Sequence, residues 1–266
     1  PPYNYVKYDL PDLYTLGCHA PHSTGSILTP CHAGNKHSPI KIFLIGDSHA
    51  AQWWPALSEI ANKNGWYISA YTKSSCPPIT IDIMSNGKIY HKCMEWALAL
   101  HDEIRRHPPS LIIYAQSAEQ TLPSSTDKSL QHDIIATTLV TMWNNWLSAG
   151  LKIIAVKDTP LLREDFSACL GSESCEQQTP YSTPDPIVTA AQQVTAVRLV
   201  DLNEAICPQK KCYPVIGNIV VWRDTHHLTA TYVKSLSLPF EQEIKKILSQ
   251  QTTTAQTPKP QNPSKP

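Results

Sequence analysis

A serine in the string Gly46-Asp47-Ser48-His49, and an aspartate three residues ahead of a histidine in Asp224-Thr225-His226-His227, are the side chains here best suited to chemistry. The first string closes an apolar run and opens a helical pattern, which places Ser48 at a strand-to-helix turn. Free backbone N–H groups and the positive end of the helix dipole favour a developing oxyanion there. Serine is also a common helix N-cap, so the string alone fits a plainer role as well. In the second string the Asp224 carboxylate can sit against Nδ1 of His227 and fix its tautomer. Nε2 is then left to take a serine proton. The same residues with His226 also suit a metal, or an ordinary surface loop.

The elements between these strings must bring them together. Nearly continuous apolar runs at Lys41–Gly46, Trp66–Thr72, Leu111–Ala115, Leu151–Val156 and Ala196–Asp201 read as strands covered on both faces. Helical patterns lie at Ala50–Asn64, Lys92–His107, Ser129–Ala149 and Ile187–Val194. A last one, Thr229–Ser249, should be kinked or split by Pro239. Alternating strand and helix implies right-handed crossovers and a parallel sheet of about five strands in a three-layer α/β/α sandwich. Chemistry in such sheets lies beyond the carboxyl ends of the strands, and both strings fall there, one early and one late.

Lys plus Arg and Asp plus Glu both number 22, so no global field steers the chain toward nucleic acid or an acidic membrane. A neutral or small polar substrate fits better. Eight cysteines at short gaps suggest the neighbouring pairs Cys18–Cys31, Cys76–Cys93, Cys169–Cys175 and Cys207–Cys212. Roughly a hundred pairings are open to eight cysteines, and this local set is the simplest. Without C-x-x-C knuckles, disulfides are favoured over zinc, and they imply an oxidising, extracytoplasmic compartment. No stretch approaches the roughly 18 apolar residues of a membrane span, and no charged-then-apolar signal segment opens the chain. The chain therefore reads as a mature protein or as an excised domain of something larger. Residues 1–40 form a disulfide-stapled lead-in, 41–249 the catalytic domain, and 250–266 a disordered tail or linker.

Taken together, the two strings resemble those of the SGNH, or GDSL-like, hydrolases. GDSHAAQWWPAL at 46–57, TKSSCPP at 72–78 and WRDTHHLTATYVKSL at 222–236 extend the likeness to the SGNH domains attached to membrane-embedded acyltransferase-3 proteins, over roughly residues 17 to 240. The resemblance implies a flavodoxin-like α/β/α fold with Ser48 as nucleophile, His227 as general base and Asp224 as its orienting partner. It implies no cofactor or metal. In that family the membrane domain passes an acyl group, usually acetyl, across the membrane, and the SGNH domain completes its delivery to a hydroxyl of a cell-envelope glycan or glycolipid. The implied partners are thus an acyltransferase-3 domain in the same full-length chain, an acyl donor and a glycan or glycolipid acceptor.

The middle blocks depart from the family pattern. The usual second-block glycine falls within Lys73-Ser74-Ser75-Cys76, where no glycine stands, so the oxyanion donors expected are backbone N–H groups of Ser48 and Ser75. The usual Gly-x-Asn-Asp is replaced by Ala115-Gln116-Ser117-Ala118, and the Gln116 side-chain amide is the candidate to stand in for Asn. Trp53 with Trp54 is a candidate sugar platform, although aromatics on the first turn of a helix beside a sheet are more often core. His226 is a candidate acceptor contact, and His49 is expected to shape the nucleophile turn. Cys76 is read as half of a staple. Two other functions fit the same residues, a stand-alone carbohydrate O-acetylesterase and an inactive glycan-binding module, and an intact Ser48, Asp224 and His227 argue against the second.

Overall fold

The computed structural model describes residues 3–171, 175–181 and 183–249, so the tail assigned to 250–266 lies outside the described residues. Strands run over His19–Ala20 (β1), Cys31–Gly34 (β2), Lys41–Gly46 (β3), Tyr67–Lys73 (β4), Met84–Ser85 (β5), Lys88–Ile89 (β6), Leu111–Ala115 (β7), Ile153–Val156 (β8), Arg198–Val200 (β9), Val215–Ile216 (β10) and Ile219–Val220 (β11). Helices cover Ser48–Ala51 (α1), Trp54–Asn64 (α2), His91–Arg106 (α3), Lys128–Ser148 (α4), Pro186–Gln193 (α5), Asn203–Ile206 (α6), Ala230–Ser235 (α7) and Ser237–Ser249 (α8).

The five apolar runs pair in parallel in the order β4-β3-β7-β8-β9. This is the doubly wound arrangement in which the first strand lies inside the sheet and the crevice opens beyond its carboxyl end. Alternation along each strand divides the core between two faces. On one side Ile42, Leu44, Leu111 and Ile113 pack with residues of α1, α2, α7 and α8. On the other, Phe43, Ile45, Ile112 and Tyr114 pack with residues of α3, α4 and α5. Sheet and helices thus form the three layers expected. No helix among the described residues is long and apolar enough to cross a membrane.

The lead-in is built into this sheet. β1 runs parallel to the end of β4, and β2 runs antiparallel to its beginning, so the edge of β4 is covered along its length. The Cys18–Cys31 disulfide closes the loop between these two short strands. Disulfides also join Cys76 to Cys93, Cys169 to Cys175 and Cys207 to Cys212. Each of the four loops removes freedom from the unfolded chain, on the order of 2–4 kcal/mol apiece.

Two expected helices are divided. The segment after Ser48 breaks between α1 and α2, where Pro55 opens the second helix because its missing N–H costs nothing in a first turn. The last helix divides at Leu236, and Pro239 occupies the first turn of α8 rather than an interior kink.

Candidate active site

β3 ends on Gly46, whose φ of +150° and tight surroundings admit no side chain: a Cβ there would lie 1.8 Å from the Ala115 carbonyl oxygen. The absence of a Cβ lets β3 and β7 approach just where the chain turns into α1. Asp47, almost fully buried, caps that turn by accepting from the His49 N–H at 2.9 Å through Oδ1. Its Oδ2 accepts from the Ser117 N–H at 2.9 Å and from Gln120 Nε2 at 3.2 Å. Burial raises the Asp47 pKa. The nucleophile turn is thereby tied to the loop after β7.

The Asp224 loop is closed on itself. Trp222 and Leu228 form an isolated β-bridge, and the Arg223 N–H donates to the His227 carbonyl at 3.1 Å. Leu228 N–H donates to Gln52 Oε1 at 3.1 Å, which fastens this loop to the end of α1. Thr159 Oγ1 donates to the His226 carbonyl at 3.0 Å, fastening it to the end of β8 as well.

These fastenings set Ser48 Oγ 2.9 Å from His227 Nε2, and His227 Nδ1 2.9 Å from Asp224 Oδ2. Asp224 Oδ1 accepts from the backbone N–H groups of His226 and His227 at 2.9 and 2.7 Å. Although burial alone would raise Asp224, the bonds from His227 and His226 hold its carboxyl well below the usual range. Burial lowers His227 to about 3, with His49 and Arg223 acting in the same direction, so the imidazole is neutral and able to accept a proton.

Ser75 follows β4 and lines the same cleft. It stands in the left-handed region at φ +50°, where a glycine would carry no strain. The position is held by its surroundings: Cys76 N–H closes onto the Lys73 carbonyl at 3.3 Å, Tyr90 Oη donates to the Ser74 carbonyl at 3.1 Å, and the Cys76–Cys93 disulfide anchors the next residue. Lys73, fully buried, sends Nζ to the carbonyls of Pro21, His22 and Thr24, and burial lowers it to about 8. The N–H groups of Ser48 and Ser75 have no hydrogen-bond partner among the described residues. Both remain free to meet an oxyanion.

Three candidates from the sequence are placed elsewhere. Gln116 is fully buried, accepts from Tyr114 Oη, and does not line the cleft. It continues the alternation of Ile112 and Tyr114 into the layer of α3, α4 and α5, and the cleft wall is formed by Ser117, Glu119 and Gln120 instead. Trp53 is core, not a sugar platform: it is 2% exposed and meets Phe240 edge-on at 5.7 Å, a contact worth about 0.5–1.5 kcal/mol beyond its burial. Trp54 is also buried and donates Nε1–H to Asp12 at 2.7 Å. His226, by contrast, is part-exposed and lines the cleft.

Sequence reasoning missed the carboxylates beneath the site. Asp158, just past β8, accepts from His49 Nδ1 at 2.5 Å, from the Thr159 N–H at 2.8 Å and from the Ala118 N–H at 2.7 Å. Asp185 accepts from the Asp158 N–H and caps α5, and burial beside Asp158 raises it to about 7. The signal available was position, a polar residue just past the carboxyl end of a strand, as for Ser48.

His49, His226 and His227 offer ring nitrogens within 4.8 Å of one another. They fit a metal poorly. His49 and His226 stack nearly parallel, with rings 5.4 Å apart and planes at 13°, so their lone pairs do not converge, and His49 is surrounded by carboxylates that favour its protonated form.

The cleft has a volume of about 420 Å³, and a second cavity of about 550 Å³ shares Leu161 and Tyr181 with it. A serine hydroxyl and two free N–H groups at one open cleft, with a neutral base and an orienting carboxylate bonded in series to the hydroxyl, can form and break an acyl ester.

Comparison with known proteins gives a family and a similar fold. The family model described as "SGNH domain (fused to AT3 domains)" matches residues 17–242. The periplasmic domain of a lipopolysaccharide acetyltransferase from Salmonella ser. Paratyphi A superposes with a TM-score of 0.67 at 21% identity, over 91% of this chain and 96% of that one. A putative acylhydrolase from Bacteroides fragilis gives a TM-score of 0.48 at 15% identity, over 81% of this chain and 91% of that one. No curated protein sequence matches significantly.

Proposed function

The chain belongs to the family of SGNH domains fused to AT3 domains, and on that footing we propose that it is the extracytoplasmic catalytic domain of an O-acyltransferase. The hydrogen-bonded series from Ser48 Oγ through His227 to Asp224, with both links at 2.9 Å, is the observation that carries this reading.

His227 takes the Ser48 proton as Oγ attacks the carbonyl carbon of the acyl donor. The N–H groups of Ser48 and Ser75 hold the oxyanion, and His227 returns the proton to the leaving group. A hydroxyl then enters, gives its proton to His227, and takes the acyl group from Ser48. The acyl group is acetyl, and the acceptor is a hydroxyl of a cell-envelope glycan or glycolipid. Four disulfides support a site outside the cytoplasm, with the donor delivered by an acyltransferase-3 membrane domain of the same protein. The second cavity beside the cleft favours transfer over hydrolysis, since it gives further sugar residues of an acceptor a place to lie.

The test is complementation by the full-length protein in cells that lack it, followed by measurement of ester-linked acetate on the isolated envelope glycans. Ester that depends on Ser48 supports transfer. An envelope that gains acetate when the protein is removed identifies an esterase instead.

A further inference from the structure

His227 is not the only imidazole prepared for work in the cleft. His49 follows the nucleophile directly, its side chain is 4% exposed, and Asp158, 3% exposed, accepts from its Nδ1. The pair spans 109 residues of sequence. Asp158 is itself fixed by two backbone N–H groups. A buried ion pair of this kind is costly to assemble, and the fold needs no such pair merely to fill the space below Ser48.

The free edge of the ring is the informative part. Nε2 of His49 has no hydrogen-bond partner among the described residues, and His49 lines the cleft. Its ring lies 4.8 Å from that of His227 and 5.4 Å from that of His226. The ring thus stands beside the base that must exchange a proton with the group that leaves or enters.

We propose that His49 and Asp158 form a second functional dyad, in which His49 Nε2–H donates to the alcohol oxygen that leaves the acyl carbon or attacks it. The inference rests on the acyl-Ser48 reading given above. As the acceptor O–H gives its proton to His227, negative charge grows on its oxygen, and the His49 cation meets that charge. The new C–O bond forms, the bond from the acyl carbon to Ser48 Oγ breaks, and His227 returns the proton to Oγ. His49 remains protonated throughout. The groups facing it are Asp47 on its own turn, Asp158 with Asp185 behind it, and Arg223, Asp224, His226 and His227 on the loop before α7. Burial opposes its charge, but Asp158, Asp47 and Asp224 outweigh it and raise His49 to about 9.

A donor aimed at the alcohol oxygen matters more for a poor leaving group than for a good one. His49→Gln is therefore compared with the parent on p-nitrophenyl acetate, whose phenolate needs little help, and on an alkyl acetate, whose alkoxide needs much. Alkyl ester turnover should fall about 100-fold and acylation of Ser48 by p-nitrophenyl acetate less than tenfold. In the parent, alkyl ester turnover should decline as pH rises through about 9, and this limb should vanish in the variant. Asp158→Asn, which keeps an acceptor for Nδ1 but removes its charge, should move the same limb to lower pH. Equal losses on both esters with the limb unmoved would make His49 a structural residue and overturn the proposal. Adduct formation that persists in Ser48→Ala would overturn the acyl-Ser48 reading instead.

Discussion

His227 and His49 each turn Nδ1 to a carboxylate, their rings 4.8 Å apart, yet one is pushed down to about 3 and the other up to about 9. The partner of His227 is three residues away and part-exposed, and cations stand near it at Arg223 and His49. The partner of His49 is 109 residues away and buried, with further carboxylates at Asp47 and Asp224. The same pair of residue types thus yields a neutral base in one place and a fixed cation in the other. What separates them is the sign of the surrounding charge, because burial opposes the imidazolium in both. The first also depends on the second, since the cation at His49 helps keep His227 neutral.

Breaking the local pair should have the largest effect. Asp224→Asn leaves a hydrogen-bond partner but permits the wrong tautomer of His227, and acylation by p-nitrophenyl acetate should fall about 10⁴-fold in stopped-flow measurements. A change that leaves both pairs in place but disturbs the turn beneath them comes next. Gly46→Ala forces a Cβ against the Ala115 carbonyl and should destabilise the fold by about 3 kcal/mol or more in urea titrations.

The long-range pair has a signature in stability as well as in rate. A histidine raised from 6.5 to about 9 by folding stabilises fully below pH 6.5, and that contribution is lost as pH rises through 9. His227 acts with the opposite sign: its contribution is present above pH 6.5 and is lost as pH falls toward 3. The gap in Tm between the parent and His49→Gln should therefore be widest near pH 6 and narrow by pH 9. A gap independent of pH would mean that His49 is not charged in the fold. The smallest effect is expected away from both pairs, where Trp54→Phe loses its bond to Asp12 and about 1 kcal/mol but leaves esterase activity unchanged.

The same contrast explains what could be read from the sequence. Ser48, Asp224 and His227 sit in short strings whose spacing already carries the geometry, and the five apolar runs place those strings on one edge of the sheet. Ser75 was legible only through the resemblance, as the residue in the place of the family's second-block glycine, and the turn after β4 does bring it to the same cleft. Gln116 misled because its amide resembles that of asparagine. Strand parity was the better guide, since Ile112, Tyr114 and Gln116 share one face and point into a helical layer. Trp53, at the junction of α1 and α2, is taken up by the core against Phe240 of α8. Asp158 was invisible as a partner of His49, because no local spacing joins residues 109 positions apart. The lead-in was read as a separate staple, yet β1 and β2 complete the sheet by pairing with β4, a contact that depends on tertiary register rather than on composition.

The most direct test of the central claim, that Ser48 is a covalent nucleophile activated by His227, is intact-mass analysis of the chain quenched during turnover of p-nitrophenyl acetate. An acetyl-sized adduct that maps to Ser48 and is absent from Ser48→Ala and His227→Ala is the result expected. An adduct on another residue, or turnover that survives in Ser48→Ala, would contradict it.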